Sequence, residues 1–114
     1  MSNTEPVLSL DEAKAVVATK TEPRVTEESI KAKIAQVKYV QEGIDAGFDF
    51  KPLTICIIVM RNGFYVVGTS APASLANYDA EVGKRYAYEN AFKQLWQLEG
   101  YLLRDELDRQ SLGA

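Results

Sequence analysis

Apolar and polar positions follow three different rhythms along this chain. After a polar start that includes Pro6, Ser9-Leu10-Asp11-Glu12 has the spacing of a capping box, with Ala13, Val16 and Val17 on one side beyond it. This predicts a short helix from about Leu10 to Thr19, ended at Thr21-Glu22-Pro23-Arg24 because the residue before a proline is pushed away from helical angles. A second helix is expected after Thr26, a good N-cap followed by Glu27 and Glu28 at the positive end of the helix dipole. Ile30, Ile34, Val37, Val40 and Ile44 fall on one side of it at about 100° per residue, with Tyr39 opposite them beside Ala32 and Ala35. Gly43 and Gly47 then loosen the chain into a loop through Asp49 and Pro52.

The rhythm changes at Leu53. Leu53 to Met60 and Phe64 to Thr69 are β-branched and aromatic runs separated by Arg61-Asn62-Gly63, and Asn-Gly is the strongest short hairpin cue. With Asn62 and Gly63 as a two-residue turn, Arg61 faces Phe64, Met60 faces Tyr65, and Ile58 faces Val67. Both hairpin faces are then apolar. One carries Ile55, Ile57, Val59, Phe64 and Val66, and the other Cys56, Ile58, Met60, Tyr65 and Val67. One layer of helices cannot cover both, so the hairpin should be extended or covered by another subunit. Ser70 to Tyr78 reads as a loop, and Asp79 as the cap of a long helix from about Ala80 to Leu107, bent or divided at Gly100. Its apolar sector, from Ala87 and Ala91 through Leu95, Trp96 and Leu102, is wider than a hairpin can bury. The expected fold is α+β: one antiparallel hairpin packed by helices, with a long C-terminal helix, completed by oligomerisation. Residues 1–24 form an N-terminal extension with a short helix, and residues 25–114 a single domain.

Composition narrows the chemistry. The 114 residues are 46% hydrophobic and 25% charged with a formal net charge of -3, ordinary for a folded domain. There is no histidine, so no imidazole base, Ser-His or Cys-His pair, or histidine metal ligand is available, and the single Cys56 sits in an apolar run that favours the inert thiol. Asp45 and Asp49 are separated by Gly47, and no pocket that would raise one carboxyl is apparent. The glycines match no phosphate loop or dinucleotide fingerprint. A non-enzyme without cofactor or metal is expected. The acidic balance argues against DNA, and no run is long enough to span a membrane. Met1 to Leu10 lack the basic residues of a signal peptide, so the cytoplasm is the expected compartment.

Two groups of residues remain as binding candidates. Lys84 lies in line with Ala91 and Leu95 near the start of the long helix, where free N–H groups and a cation can hold a phosphate, framed by Arg85 and Tyr88. Equally, Lys84 can snorkel past the core edge while Arg85 pairs with Glu81 or Glu89. Six of the aromatic residues are tyrosines. Tyr65, Tyr78, Tyr86 and Tyr88 could stack on a base while Asn62, Asn77, Arg61, Lys84 and Arg85 meet its polar edge and phosphates. The alternative is half-buried tyrosines with wet hydroxyls.

From Val25 onward the sequence resembles a family of short tailed-phage proteins, the phage gp-forty-nine/sixty-six-like family. The likeness rests on Val25-Thr26-Glu27-Glu28-Ser29-Ile30, Arg61-Asn62-Gly63-Phe64, Val67-Gly68-Thr69-Ser70-Ala71, Asn77-Tyr78-Asp79-Ala80-Glu81-Val82-Gly83-Lys84-Arg85, Ala87-Tyr88-Glu89-Asn90-Ala91 and Leu95-Trp96-Gln97-Leu98-Glu99-Gly100-Tyr101-Leu102-Leu103. Tyr78 stands where relatives often carry Phe. The pattern is also similar to the anti-Thoeris signal sponges, oligomeric anti-defence proteins that bind cyclic ADP-ribose isomers, and some of them cyclic oligonucleotides, without cleaving them. The resemblance implies a homo-oligomer in the host bacterial cytoplasm that sequesters a small cyclic nucleotide. Lys84 would be its principal phosphate contact. Tyr88 stands where some sponges have a second basic residue, which departs from their pattern. The competing expectation is a phage interaction module that inhibits a host protein through its hairpin face, and a role in virion assembly is a third.

Overall fold

The structure, a computed structural model, describes residues 7–41 and 53–113. The expected frayed start at Met1, the Gly43–Pro52 loop, Ile44 and the Asp45/Asp49 pair lie outside the described residues. Five elements follow the opening helix α1 (Leu10–Ala18): α2 (Glu27–Lys31), β1 (Ile34–Val40), β2 (Thr54–Met60), β3 (Tyr65–Ser70) and α3 (Ala80–Gly113). A short 3-10 turn at Leu75–Asn77 precedes α3. The architecture is α+β. The strands form one antiparallel sheet in the order β1-β2-β3, and α3 lies across β2 and β3.

The first helix forms as its sequence dictates. Ser9 and Glu12 make a reciprocal capping box, with the Glu12 amide donating to Ser9 Oγ at 3.1 Å and the Ser9 amide to Glu12 Oε1 at 2.9 Å. The second helix is a correction. Thr26 does cap a helix, with the Ser29 amide donating to Thr26 Oγ1 at 3.0 Å, but that helix stops at Lys31 and the chain becomes β1. The helical periodicity was produced by a β-bulge. The register against β2 shifts between Ile34 and Gln36, and the extra residue puts Ile34 and Val37, three apart, against the same core. Tyr39 then follows Val37 on the helix-covered face, opposite Cys56, where the sequence pattern had put it on the far side. The expected hairpin is therefore a three-stranded sheet.

The hairpin exists, but its register differs from the expected one. The Met60 amide donates to the Phe64 carbonyl at 2.7 Å, and the Gly63 amide to the Met60 carbonyl at 2.9 Å. Among the described residues only Gly63 has positive φ, at 91°. This is a three-residue Arg61–Gly63 loop with glycine alone in the left-handed region, whereas the two-residue turn would also need Asn62 there. Asn62 instead accepts a hydrogen bond from the Phe64 amide on Oδ1 at 3.0 Å. The pairing becomes Ile58 with Val66, Ile57 with Val67 and Cys56 with Gly68. A shift of one residue turns every β3 side chain to the opposite face.

That shift brings Gly68 under α3. A Cβ on Gly68 would sit 2.3 Å from the Ala91 backbone nitrogen, and one on Gly83 would sit 2.5 Å from Thr54 Oγ1. Small residues Gly83, Ala87 and Ala91 on α3 thus let the helix lie close on the sheet. Ile30, Cys56, Ile58, Met60, Val66, Phe92 and Leu95 fill the core around that contact. Fully burying a side chain such as Ile58 is worth ~1.5–3 kcal/mol. Buried Thr54 is satisfied by Gln41, whose amide nitrogen donates to Thr54 Oγ1 at 3.1 Å and to the Ala80 carbonyl at 2.7 Å. Helix α3 passes unbroken through Gly100 to Gly113, beyond the expected end near Leu107. Its last buried residue is Leu95, so the distal half projects past the sheet with Leu98, Tyr101 and Leu102 exposed.

Candidate functional site

The start of α3 is closed to an anion by its own cap. Asp79 Oδ1 accepts hydrogen bonds from the Glu81 and Val82 amides, both at 3.0 Å, and the Asp79 carbonyl accepts from Gly83 at 2.8 Å. The donors that the sequence offered to a phosphate are occupied, and a carboxylate sits among them. Any anion recognition in this region must come from side chains.

The side chains divide onto two flanks, because Gly83 and Ala87 face the sheet. On the β1 flank the Lys84 ammonium lies 5.9 Å from the centre of the Tyr39 ring, and the Arg85 guanidinium 5.8 Å from that of Tyr88. Both distances are within the range of cation–π attraction. Tyr88 packs against Phe92 with ring centres 5.6 Å apart and planes tilted by 32°, and burial pushes the hydroxyl pKa of both Tyr39 and Tyr88 up. Each cation already has an acidic neighbour: Lys84 pairs with Glu81 at 3.3 Å, Arg85 with Glu89 at 2.6 Å and Lys31 with Glu27 at 2.8 Å. The crevice bounded by Lys31, Arg85, Tyr88 and Phe92 is only about 30 Å³, room for a water-sized group. On the other flank Asn77 and Tyr78 join Ser70, Pro72, Val82 and Tyr86 around a cleft of about 210 Å³.

The remaining candidates lie elsewhere. Arg61 and Asn62 line a groove of about 430 Å³ between the hairpin loop and the distal half of α3, with Phe64, Leu98 and Tyr101. At a rise of about 1.5 Å per residue, Leu98 is roughly 20 Å along the helix from Lys84. Tyr65 is exposed beside the free edge of β3, near Gln94 and Gln97. The structure therefore brings together Lys84, Arg85 and Tyr88 on one flank and Asn77 with Tyr78 on the other, and separates Arg61, Asn62 and Tyr65 from both. Tyr39 and Lys31 belong to the Lys84 flank although sequence reasoning passed over them. Strand alternation from Val37 would have found Tyr39.

The β3 edge has its own device. Asn90 Oδ1 accepts from the Thr69 amide at 3.0 Å, and Gln94 Nε2 donates to the Val67 carbonyl at 2.7 Å. Side chains of α3 thereby occupy edge groups that would otherwise invite another strand. Burial pushes the Cys56 thiol pKa up, which keeps it protonated and unreactive. Among the described residues no group of three or more His, Cys, Asp or Glu could hold a metal ion, and no helix is long and apolar enough to cross a membrane.

A model of the phage protein (N4 Gp49/phage Sf6 gene 66) family matches residues 25–107, from the segment before α2 to near the end of α3. No curated protein and no solved structure matches the chain.

Proposed function

The chain belongs to the phage protein (N4 Gp49/phage Sf6 gene 66) family, and from that premise we propose that it acts by binding without catalysis. It sequesters a small phosphate-bearing cyclic nucleotide, a cyclic ADP-ribose isomer or cyclic oligonucleotide, in the host cytoplasm as an anti-defence protein. The observation that carries this reading is the doubled cation–ring arrangement at the start of α3, Lys84 over Tyr39 and Arg85 over Tyr88. A nucleotide requires that combination: flat faces for its base and cations for its phosphates. The ion pairs holding these cations are exposed and worth ~0–1 kcal/mol each, whereas a charge-assisted phosphate contact is worth ~1.5–3 kcal/mol. A phosphate can therefore displace the carboxylates. The flank is an open surface in one chain, so a second copy packed against this helix-covered side completes the pocket, and the sheet face that α3 leaves open supplies a further contact between copies.

Calorimetry with cyclic ADP-ribose isomers and cyclic di- and trinucleotides tests this. Binding heat is expected, and Lys84→Ala should weaken affinity by about ten- to a hundred-fold with an unchanged circular dichroism spectrum. Ligand released by heating should have unaltered mass. No heat with any of these compounds would overturn the reading. A second reading is favoured by the apolar open face, where Val40, Ile55, Ile57, Val59 and Val67 lie on adjacent strands beside exposed Tyr65. There the protein is an interaction module that inhibits a host protein. Capture of a host enzyme that is lost in a Tyr65→Lys variant would favour it.

A further inference from the structure

We propose that α1 of one copy docks into the apolar groove between the hairpin loop and the distal half of α3 of a second copy. Helix α1 is complete, capped at Ser9 and closed at Thr19, yet none of its residues is buried and Leu10 is 71% exposed. At about 100° per residue, Leu10, Ala13, Val16 and Val17 form one stripe about 120° wide. A nine-residue helix is marginal in water by itself, so its apolar stripe needs a surface. The groove offers one of matching character: Met60 and Leu95 lie at its base, and Phe64, Leu98, Tyr101 and Leu102 are exposed along its walls, Tyr101 at 76%. A helix whose anchors recur three, four and seven residues apart fits such a groove.

Charge sets the orientation. The first turn of α1 carries Asp11 and Glu12, and the groove is rimmed by Lys33 and Arg61. Arg61 has no ion pair among the described residues, and the Lys33–Glu99 bridge is half exposed on the lysine side. The same bridge argues for a second copy. Arg24, Val25 and Ser29 line a separate cleft that shares Lys33, Glu99 and Leu102 with the groove, so the chain enters α2 on the far side of that wall. The Lys31 ammonium, hydrogen-bonded to Glu27, chiefly lowers its carboxyl pKa, and Lys14 of α1 adds a smaller Coulombic part from the α2 side. A helix held there reaches a neighbour's groove without crossing its own wall. Reciprocal exchange closes a two-fold dimer. Residues before Val25 lie outside the family match.

The test mixes a full-length Leu10→Cys chain with a full-length Leu98→Cys chain under mild oxidation; both sites are exposed and the native Cys56 is buried. A disulfide-linked species of twice the 12.7 kDa chain mass is expected, with peptide mapping identifying the 10–98 bridge. Arg61→Glu should reduce its yield, and Arg61→Glu combined with Asp11→Lys in the partner should restore it. A mixture that forms no 10–98 bridge would overturn the proposal. So would a Leu10→Cys, Leu98→Cys double variant that closes the bridge within one chain at monomer mass. Nucleotide binding at Lys84 is read separately by calorimetry, so either result leaves that question independent.

Discussion

The two faces of the sheet are built from one strand and meet different fates. On the covered face Thr54, Cys56, Ile58 and Met60 are all buried; one residue over, Ile55, Ile57 and Val59 are equally apolar and only partly covered. In an antiparallel sheet with one wet face, alternate residues are normally polar. Here β2 is apolar on both sides, with polar Gln36, Lys38 and Thr69 on the open face only in the flanking strands, and the size of the residues facing β2 separates its two sides. Gly68, Gly83, Ala87 and Ala91 let α3 come down onto one face, while the other presents Tyr65, Val67 and Val40 to the outside. Apolar content shows that a face wants a partner. Steric fit selects which one comes from the same chain.

The sharpest way to break the comparison is to abolish that fit. Gly68→Val should cost about 3 kcal/mol or more, because even its Cβ meets the α3 backbone, which cannot move aside as a side chain can. Chemical denaturation should show it, and a wild-type midpoint would mean that α3 is not seated as described. Next, Ile58→Ala should cost about 2–5 kcal/mol through the cavity left behind. Ile57→Ala, one position away, should cost less than about half as much in a dilute monomer and should weaken self-association at higher concentration. Equal costs at high dilution would erase the distinction between the faces.

Smaller effects sharpen it. Asp79→Ala removes the α3 cap and should cost about 1 kcal/mol, while freeing the Glu81 and Val82 amides for an anion. Thermal unfolding with and without inorganic phosphate would detect both changes. The smallest is alkaline. The Cys56 thiol on the covered face has its pKa raised by burial above the ordinary 9.0. The unfolded chain therefore loses that proton first. The contribution to stability is complete below about pH 9 and declines as pH rises through the folded value. Cys56→Ser should flatten that decline, whereas an unchanged alkaline limb would assign it to the tyrosines.

Much of the local structure could be read from residue spacing, because caps and turns are decided by neighbours in the chain. The Ser9 and Thr26 boxes, the Asp79 cap and the hairpin at Arg61-Asn62-Gly63 all depend on side chains within a few residues of the backbone they satisfy. The failures share one cause. Ile34 and Val37 mimic a helical stripe only because a bulge against β2 inserts a residue between them, and a bulge is a property of two strands. The hairpin register also turned on a single backbone angle at Asn62, which both alternative turns tolerate. The candidate site divided for a related reason. Lys84, Arg85 and Tyr88 were legible together because they lie within one helix, whereas Tyr39 joined them only when β1 took its place beside β2, and Arg61 and Tyr65 left them when α3 ran straight along the sheet. By itself the sequence determined where elements begin, which residues are apolar and that no histidine chemistry is available, since these are local or compositional facts. Only the tertiary structure decided which face is covered, which strand lies at the edge and which cations meet which rings. Those depend on contacts between residues far apart in the chain, where steric fit chooses among pairings that local propensity leaves nearly equal.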